Sequence, residues 1–169
     1  MQILNKVVWV FFHQYPTAIA SYRLSGILPA KYLKIKKAIF LEKDNPLDLL
    51  NGLKPDVLIF AKPFHRNAVN LAKEAKNRNI KVIVTNDDWN FVDDTEKMRE
   101  INNIMTDVAI LSDAVVVKTK TAAKIVKKNT GIIPEVIPDC LEFETKELIS
   151  KINYPFELVW FGNSVNLDT

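Results

Sequence analysis

Residues capable of chemistry recur at one kind of place in this chain, directly after short apolar, β-prone runs. His13 and Gln14 follow VVWVFF, Lys62, His65 and Arg66 follow VLIFA, Asn86, Asp87 and Asp88 follow VIVT, and Lys118 and Thr119 follow AVVV. A histidine with an ordinary pKa of about 6.5 suits general acid or base work, although a plain loop histidine leaves the same pattern. No carboxylate partner for His13 or His65 can be assigned from the sequence. Ser21 and Arg23 stand where a helix after the first run would open. Free amides and the helix dipole favour an anion there, and Arg23 could clamp it; a capping serine beside a surface arginine reads identically. Lys62, His65 and Arg66 make the same case one unit later, with Pro63 fit for a first helical position. Asp87 and Asp88 could ligate a divalent cation, raise one another's pKa or bond sugar hydroxyls. Adjacent side chains on extended backbone point to opposite faces, so one of the two is expected to face a ligand. An Asx turn or helix cap is the alternative. Neither histidine has metal-ligand spacing, so no metal is expected.

The elements that must position these groups alternate. Strands are expected at residues 7–12, 38–41, 57–61, 82–85, 114–117 and 136–137, short and nearly continuous in apolar character, as buried parallel strands are. Phe64, Ala68, Leu71, Ala72 and Ala75 keep a helical stripe. A second helix is expected over residues 95–111, with Met98, Ile101, Met105 and Val108 or Ala109 inward. A third covers residues 121–129 and stops at Gly131. Residues 20–33 are less regular, and Pro29 should kink or split that helix. The pattern predicts an α/β protein with a Rossmann-like, doubly wound, mostly parallel sheet over residues 1–140. Residues 141–169 read as a helix-prone linker and then FELVWFGN, the first strand of a second domain. In open parallel sheets ligands bind beyond the carboxyl ends of the strands. His13, Lys62, Asp87 and Lys118 are therefore expected on one rim.

Composition narrows the classes. At 169 residues, 48% hydrophobic and 25% charged, the chain can bury one ordinary core. A net charge of +3 is too mild to suggest nucleic acid as a partner. Lys31, Lys34, Lys36 and Lys37 cluster, and Lys120, Lys124, Lys127 and Lys128 recur at helical spacing. Such faces could meet an anionic membrane surface or simply be solvated. VVWVFF is far shorter than the ~20 residues of a membrane span, and no secretory cleavage pattern follows it. A cytoplasmic location is expected, with peripheral contact at the inner membrane face where the lysines provide it. Cys140 is the only cysteine, so no internal disulfide forms. HQYPTAIASYR after the first strand lacks any glycine, and the whole chain has four. Neither a dinucleotide fingerprint nor a P-loop is present, which argues against NAD and ordinary ATP binding.

Taken in order, ASYRLSGILPAKYL, KPDVLIFAKP, VIVTNDDWNF, SDAVVVKTKTAAKIV, VIPDCLEF and LVWFGN resemble the N-terminal half of a GT-B fold glycosyltransferase of the retaining, group 1 type. Lys118 and Thr119 stand where that family usually has serine. The resemblance implies an acceptor-binding domain whose partner domain mainly holds the nucleotide-sugar donor, with no metal or other cofactor. It implies a sugar or glycan acceptor, and a chain that is catalytically silent alone. His13, Ser21, Arg23, His65, Arg66, Asp87, Asp88 and Lys118 are the expected cleft-lining groups, orienting the acceptor rather than forming covalent bonds. The alternatives are a non-enzymatic sugar- or nucleotide-binding domain and a receiver-like regulatory module.

Overall fold

The computed structural model describes residues 6–86 and 95–138. Six strands, β1 (Val7–Phe11), β2 (Lys36–Ile39), β3 (Val57–Ala61), β4 (Lys81–Thr85), β5 (Ala114–Val117) and β6 (Glu135–Val136), form one sheet in the order β2-β1-β3-β4-β5-β6. Every pairing is parallel. The fold is therefore α/β and Rossmann-like, as the alternation of elements predicts. Ile39, Phe11, Ala61, Thr85 and Val116 share one level, so the carboxyl ends of β1 to β5 open onto one edge.

Chain direction assigns the helices to faces. β1 steps outward to β2, after which every step runs the other way, from β2 past β1 to β3 and onward. With right-handed crossovers, the first connection lies on one face and all later ones on the other. The core divides accordingly. Val8, Val10, Leu58, Phe60, Val82, Val84, Val115 and Val117 pack beneath α3 (Pro46–Leu53), α4 (Asn67–Asn77), α5 (Glu96–Leu111) and α6 (Lys120–Thr130). On the reverse face Val7, Trp9, Phe11 and Ala61 meet Tyr22 and Ala30 of the first connection.

That first connection is one continuous helical run, neither split nor regular, in which Pro29 is accommodated by a change of helix type. It comprises α1 (Ala20–Tyr22), a π-helical turn over Arg23–Ile27 and α2 (Leu28–Tyr32) with Pro29 in its first turn. Proline has no amide hydrogen to donate four residues back, and the wide turn absorbs that defect. Gly26 lets the turn sit on the sheet. A Cβ there would stand 2.5 Å from Phe11 Cε1 and 3.2 Å from Trp9 Nε1.

Several boundaries depart from expectation, those of β1, β4 and β6 by one residue, while α4 begins at Asn67, so that Phe64 precedes it and Pro63 does not open it. β2 begins and ends two residues earlier than the apolar run 38–41, because it is the sheet's outer strand and starts with exposed Lys36 and Lys37. The helix α3 was not anticipated, although Asn45 caps it by accepting from Leu47 N at 2.9 Å and Pro46 opens it. The expected linker, residues 141–169 with its FELVWFGN strand, lies outside the described residues.

Asp113 fastens the amino edge. Its carboxylate accepts from Lys81 Nζ at 2.7 Å and from Val82 N at 2.9 Å, while its own amide donates to Val82 O. The hydrogen bond from Lys81 holds this carboxyl below its ordinary value, against a smaller opposing effect of burial. A depressed carboxyl pKa contributes stability that is complete above the unfolded-state value and fades as pH falls through the folded one. Asp113→Asn should lower stability near neutral pH by less than about 1 kcal/mol, the pair being half exposed, and the gap to the parent should close under acid conditions. Urea denaturation across a pH series measures it. Gly26→Ala should cost about 1–3 kcal/mol by overpacking against Phe11, read as a lower urea midpoint at constant m-value.

Candidate functional site

The reversal of winding falls between β1 and β3. At their carboxyl ends the outgoing chains diverge to opposite faces and leave a crevice, the usual binding place in open α/β sheets. Lys62 occupies it. This residue directly follows β3 and is only 5% exposed, yet its backbone has φ of 51°. Among the described residues three other non-glycine residues have positive φ, and each follows or caps a helix: Lys34 after α2, Lys54 after α3 and Asn79 after α4. Lys62 alone ends a strand, and it precedes a proline, where freedom is narrower still. Its amide still donates to Thr85 O at 3.0 Å, so the distortion lies beyond the last ladder bond.

The distortion carries the ammonium across to α1. Lys62 Nζ donates to Ser21 Oγ at 2.6 Å and lies 5.7 Å from the Tyr22 ring centre and 5.8 Å from that of Phe64. Tyr22 is buried and donates its hydroxyl proton to Lys62 O at 3.3 Å. Its ring stands edge-on to Phe11 and 6.0 Å from the His13 ring. His13 is exposed, and Nδ1 accepts from Tyr15 N at 3.0 Å. With Nδ1 accepting, the neutral ring carries its proton on Nε2. An ammonium, a hydroxyl, a phenol and an imidazole thus converge at the switch point, an arrangement able to bind and orient hydroxyl-bearing or anionic groups.

The remaining expected residues are distributed differently. Ser21 is a member of α1 and not its cap; Ile19 holds the cap position. Its backbone carbonyl accepts from the Ser25 hydroxyl. Arg23 turns back to donate to Thr17 O at 3.3 Å. His65 donates Nε2–H to Phe40 O at 3.1 Å, has ring neighbours Phe12 and Phe40, and keeps Nδ1 buried without a partner among the described residues. It joins the end of β2 to the start of α4 and offers no ring nitrogen to the crevice. Arg66 pairs with Asp107 of α5 at 2.6 Å. Lys118 leaves β5, two strand spacings or about 10 Å from β3. There it borders a groove of about 350 Å³ floored by Ile59, Ile83 and Val116, beside Trp9 and Leu24. Asn86 is fully buried and turned toward Met105, its Nδ2 lying 3.0 Å from Sδ. Asp87 and Asp88 lie outside the described residues. Thr119 caps α6, accepting from Ala122 N at 3.0 Å.

Tyr22 is the member of this constellation that sequence reasoning overlooked. Its signal was available, a tyrosine on a helix's core-facing side whose hydroxyl must find a partner. Among the described residues no three His, Cys, Asp or Glu side chains gather as a set of metal ligands. No protein-family model matches the chain, and no curated protein matches it either.

Ser21→Ala removes the hydroxyl from a buried cation. It should cost about 1.5–3 kcal/mol, the range for hydrogen bonds to charged groups, read as a fall in the urea midpoint.

Proposed function

We propose that this chain forms the acceptor side of a glycosyltransferase, binding a sugar or glycan whose hydroxyl receives a sugar from a nucleotide-sugar donor held mainly by a second domain. The observation that carries this reading is the buried Lys62 ammonium at the switch point, bonded to Ser21 at 2.6 Å and lying 5.7 Å from the Tyr22 ring, which in turn stands 6.0 Å from the ring of His13. Crowded polar groups without a phosphate cradle suit a neutral polyol. Lys62 and His13 Nε2–H would donate to acceptor oxygens, and Ser21 and Tyr22 would hold Lys62 in place. Their work is orientation, which in a two-substrate transfer can supply several kcal/mol of the barrier reduction. The ordered resemblance of the strand and helix segments to the group 1 family supports the same reading. It also implies no metal or other cofactor.

Two rivals fit the residues less well. A receiver-like module shares the strand order β2-β1-β3-β4-β5 and a lysine after β5, here Lys118. It needs acidic groups after β1 and β3, where this chain has His13 and Lys62. A nucleotide-binding module needs backbone close to phosphate after β1, and residues 12–22 contain no glycine.

Thermal melts with free glycans, nucleoside diphosphates and nucleotide sugars test the assignment. A saturating ligand at a hundred times its Kd stabilises by about 2.7 kcal/mol. Glycan acceptors should raise the melting temperature saturably, and Lys62→Met or His13→Ala should abolish that shift while circular dichroism remains unchanged. Tight, saturable stabilisation by nucleoside diphosphates with none by glycans would overturn it.

A further inference from the structure

Residues 1–41 include six Lys or Arg and not one Asp or Glu, so the chain's +3 is a +6 segment joined to a −3 remainder. The structure concentrates this excess at one corner. Ala30 is 0% exposed and Ile35 6%, both packed on the Trp9 face of the sheet, and the four residues between them project outward. Backbone bonds from Leu33 N to Pro29 O, Lys34 N to Lys31 O and Ile35 N to Ala30 O, with Lys34 at φ 56°, hold the corner in one shape. Tyr32 is 86% exposed on it and Leu33 43%. Lys31, Lys34, Lys36 and Lys37 surround them, all exposed, and among the described residues none of the four has an ion-pair partner.

Edge protection explains part of this. Lysines on an outer strand discourage pairing with other chains, which suffices for Lys36 and Lys37 on β2. It does not explain why Tyr32 is held out in solvent, or why Leu33, at the rim of the apolar groove over Ile59 and Ile83, is left 43% exposed, beside Lys31 and Lys34 on a turn with no strand edge to guard. The lysines of α6 provide the contrast. Lys120, Lys124, Lys127 and Lys128 are exposed on a helix with no large exposed apolar residue, and the last two offset its dipole.

We propose that the α2–β2 corner is a docking surface for an anionic phospholipid membrane, with Tyr32 and Leu33 entering the headgroup region and the four lysines meeting lipid phosphates. A tyrosine beside an aliphatic side chain, rimmed by ammonium groups, is the chemistry of the membrane interface. No helix among the described residues is long and apolar enough to cross a membrane, so contact through this corner is peripheral. Lys36 is level with Val8, near the amino end of β1. Docking there leaves the crevice at the carboxyl ends open to solvent.

Co-sedimentation of the full chain with vesicles of phosphatidylcholine alone, or mixed with phosphatidylglycerol, tests this without any sugar ligand, so it stands or falls apart from the proposed function. Binding should need phosphatidylglycerol and weaken with salt. At about fivefold per lysine, Lys31→Gln, Lys34→Gln, Lys36→Gln and Lys37→Gln together should weaken it roughly 100-fold or more. Tyr32→Ser with Leu33→Ser should weaken vesicle binding about 10-fold and leave binding to duplex DNA unchanged. Folding is checked by circular dichroism, and lysine pairs replace the fourfold variant if it fails to fold. Absence of binding to the anionic vesicles overturns the proposal. So does binding that persists in the lysine variants, or binding indifferent to Tyr32 and Leu33 and equally tight for DNA, which would mark a general polyanion site.

Discussion

The reversal of winding at β1 is the constraint from which the rest of the molecule follows. A right-twisted parallel sheet admits right-handed crossovers, so a chain that steps outward once and then returns must place its first helical segment on one face and the others opposite. Among the described residues α1, the π turn and α2 therefore cover Trp9 and Phe11, while α3 to α6 share the opposite face. Where the two directions part, at the ends of β1 and β3, the outgoing chains leave to opposite faces, the usual place for a ligand in such sheets. The location of the crevice is a result of topology. What fills it is a matter of side chains.

Lys62 shows how the two meet. A non-glycine residue in the left-handed region costs roughly 1–2 kcal/mol, and a buried ammonium costs more unless it is hydrogen-bonded. Ser21 supplies a short hydrogen bond, and the Tyr22 and Phe64 rings each lie within 6 Å, where a cation over an aromatic face gains about 0.5–1 kcal/mol or more. These compensations come from α1 and from the loop after β3. An aliphatic residue at position 62 would need none of them. The arrangement makes sense when the charge itself is useful, since strain tends to persist where the surroundings enforce it for function.

Most of the architecture was readable from residues because buried parallel strands leave few options. Val57–Ala61 and Ala114–Val117 are found at the expected positions, and Gly131 ends α6 with φ of 75°. β2 was displaced because an outer strand exchanges apolar residues for lysine, which erases the signal used to find it. α3 was missed although its Asn-Pro start is a strong cue, since the eye for periodicity overlooks two-turn helices. The site was less legible. Sequence places His13, Lys62, His65 and Lys118 after strands but not the direction each side chain takes. His65 turns into an aromatic pocket and Arg66 to Asp107, whereas Lys62 crosses to α1 through a backbone angle that no propensity scale foretells.

The two edges of the sheet solve opposite electrostatic problems. At the amino edge Lys6 meets Asp56 and Lys81 meets Asp113, pairs formed in solvent where each contributes little and water screens the remainder. At the carboxyl edge the Lys62 ammonium is withdrawn from water, where a given partner counts for more because the surrounding dielectric is low. A ligand oxygen arriving beside Lys62 meets a donor already oriented by Ser21 and Tyr22, so little side-chain freedom is lost on binding. The same oxygen beside Lys31 or Lys37 meets a free, hydrated chain that must be ordered first. A single lysine held in this way is suited to discriminating among ligands, whereas free lysines clustered as at the α2–β2 corner are suited to a collective response to the charge density of a surface.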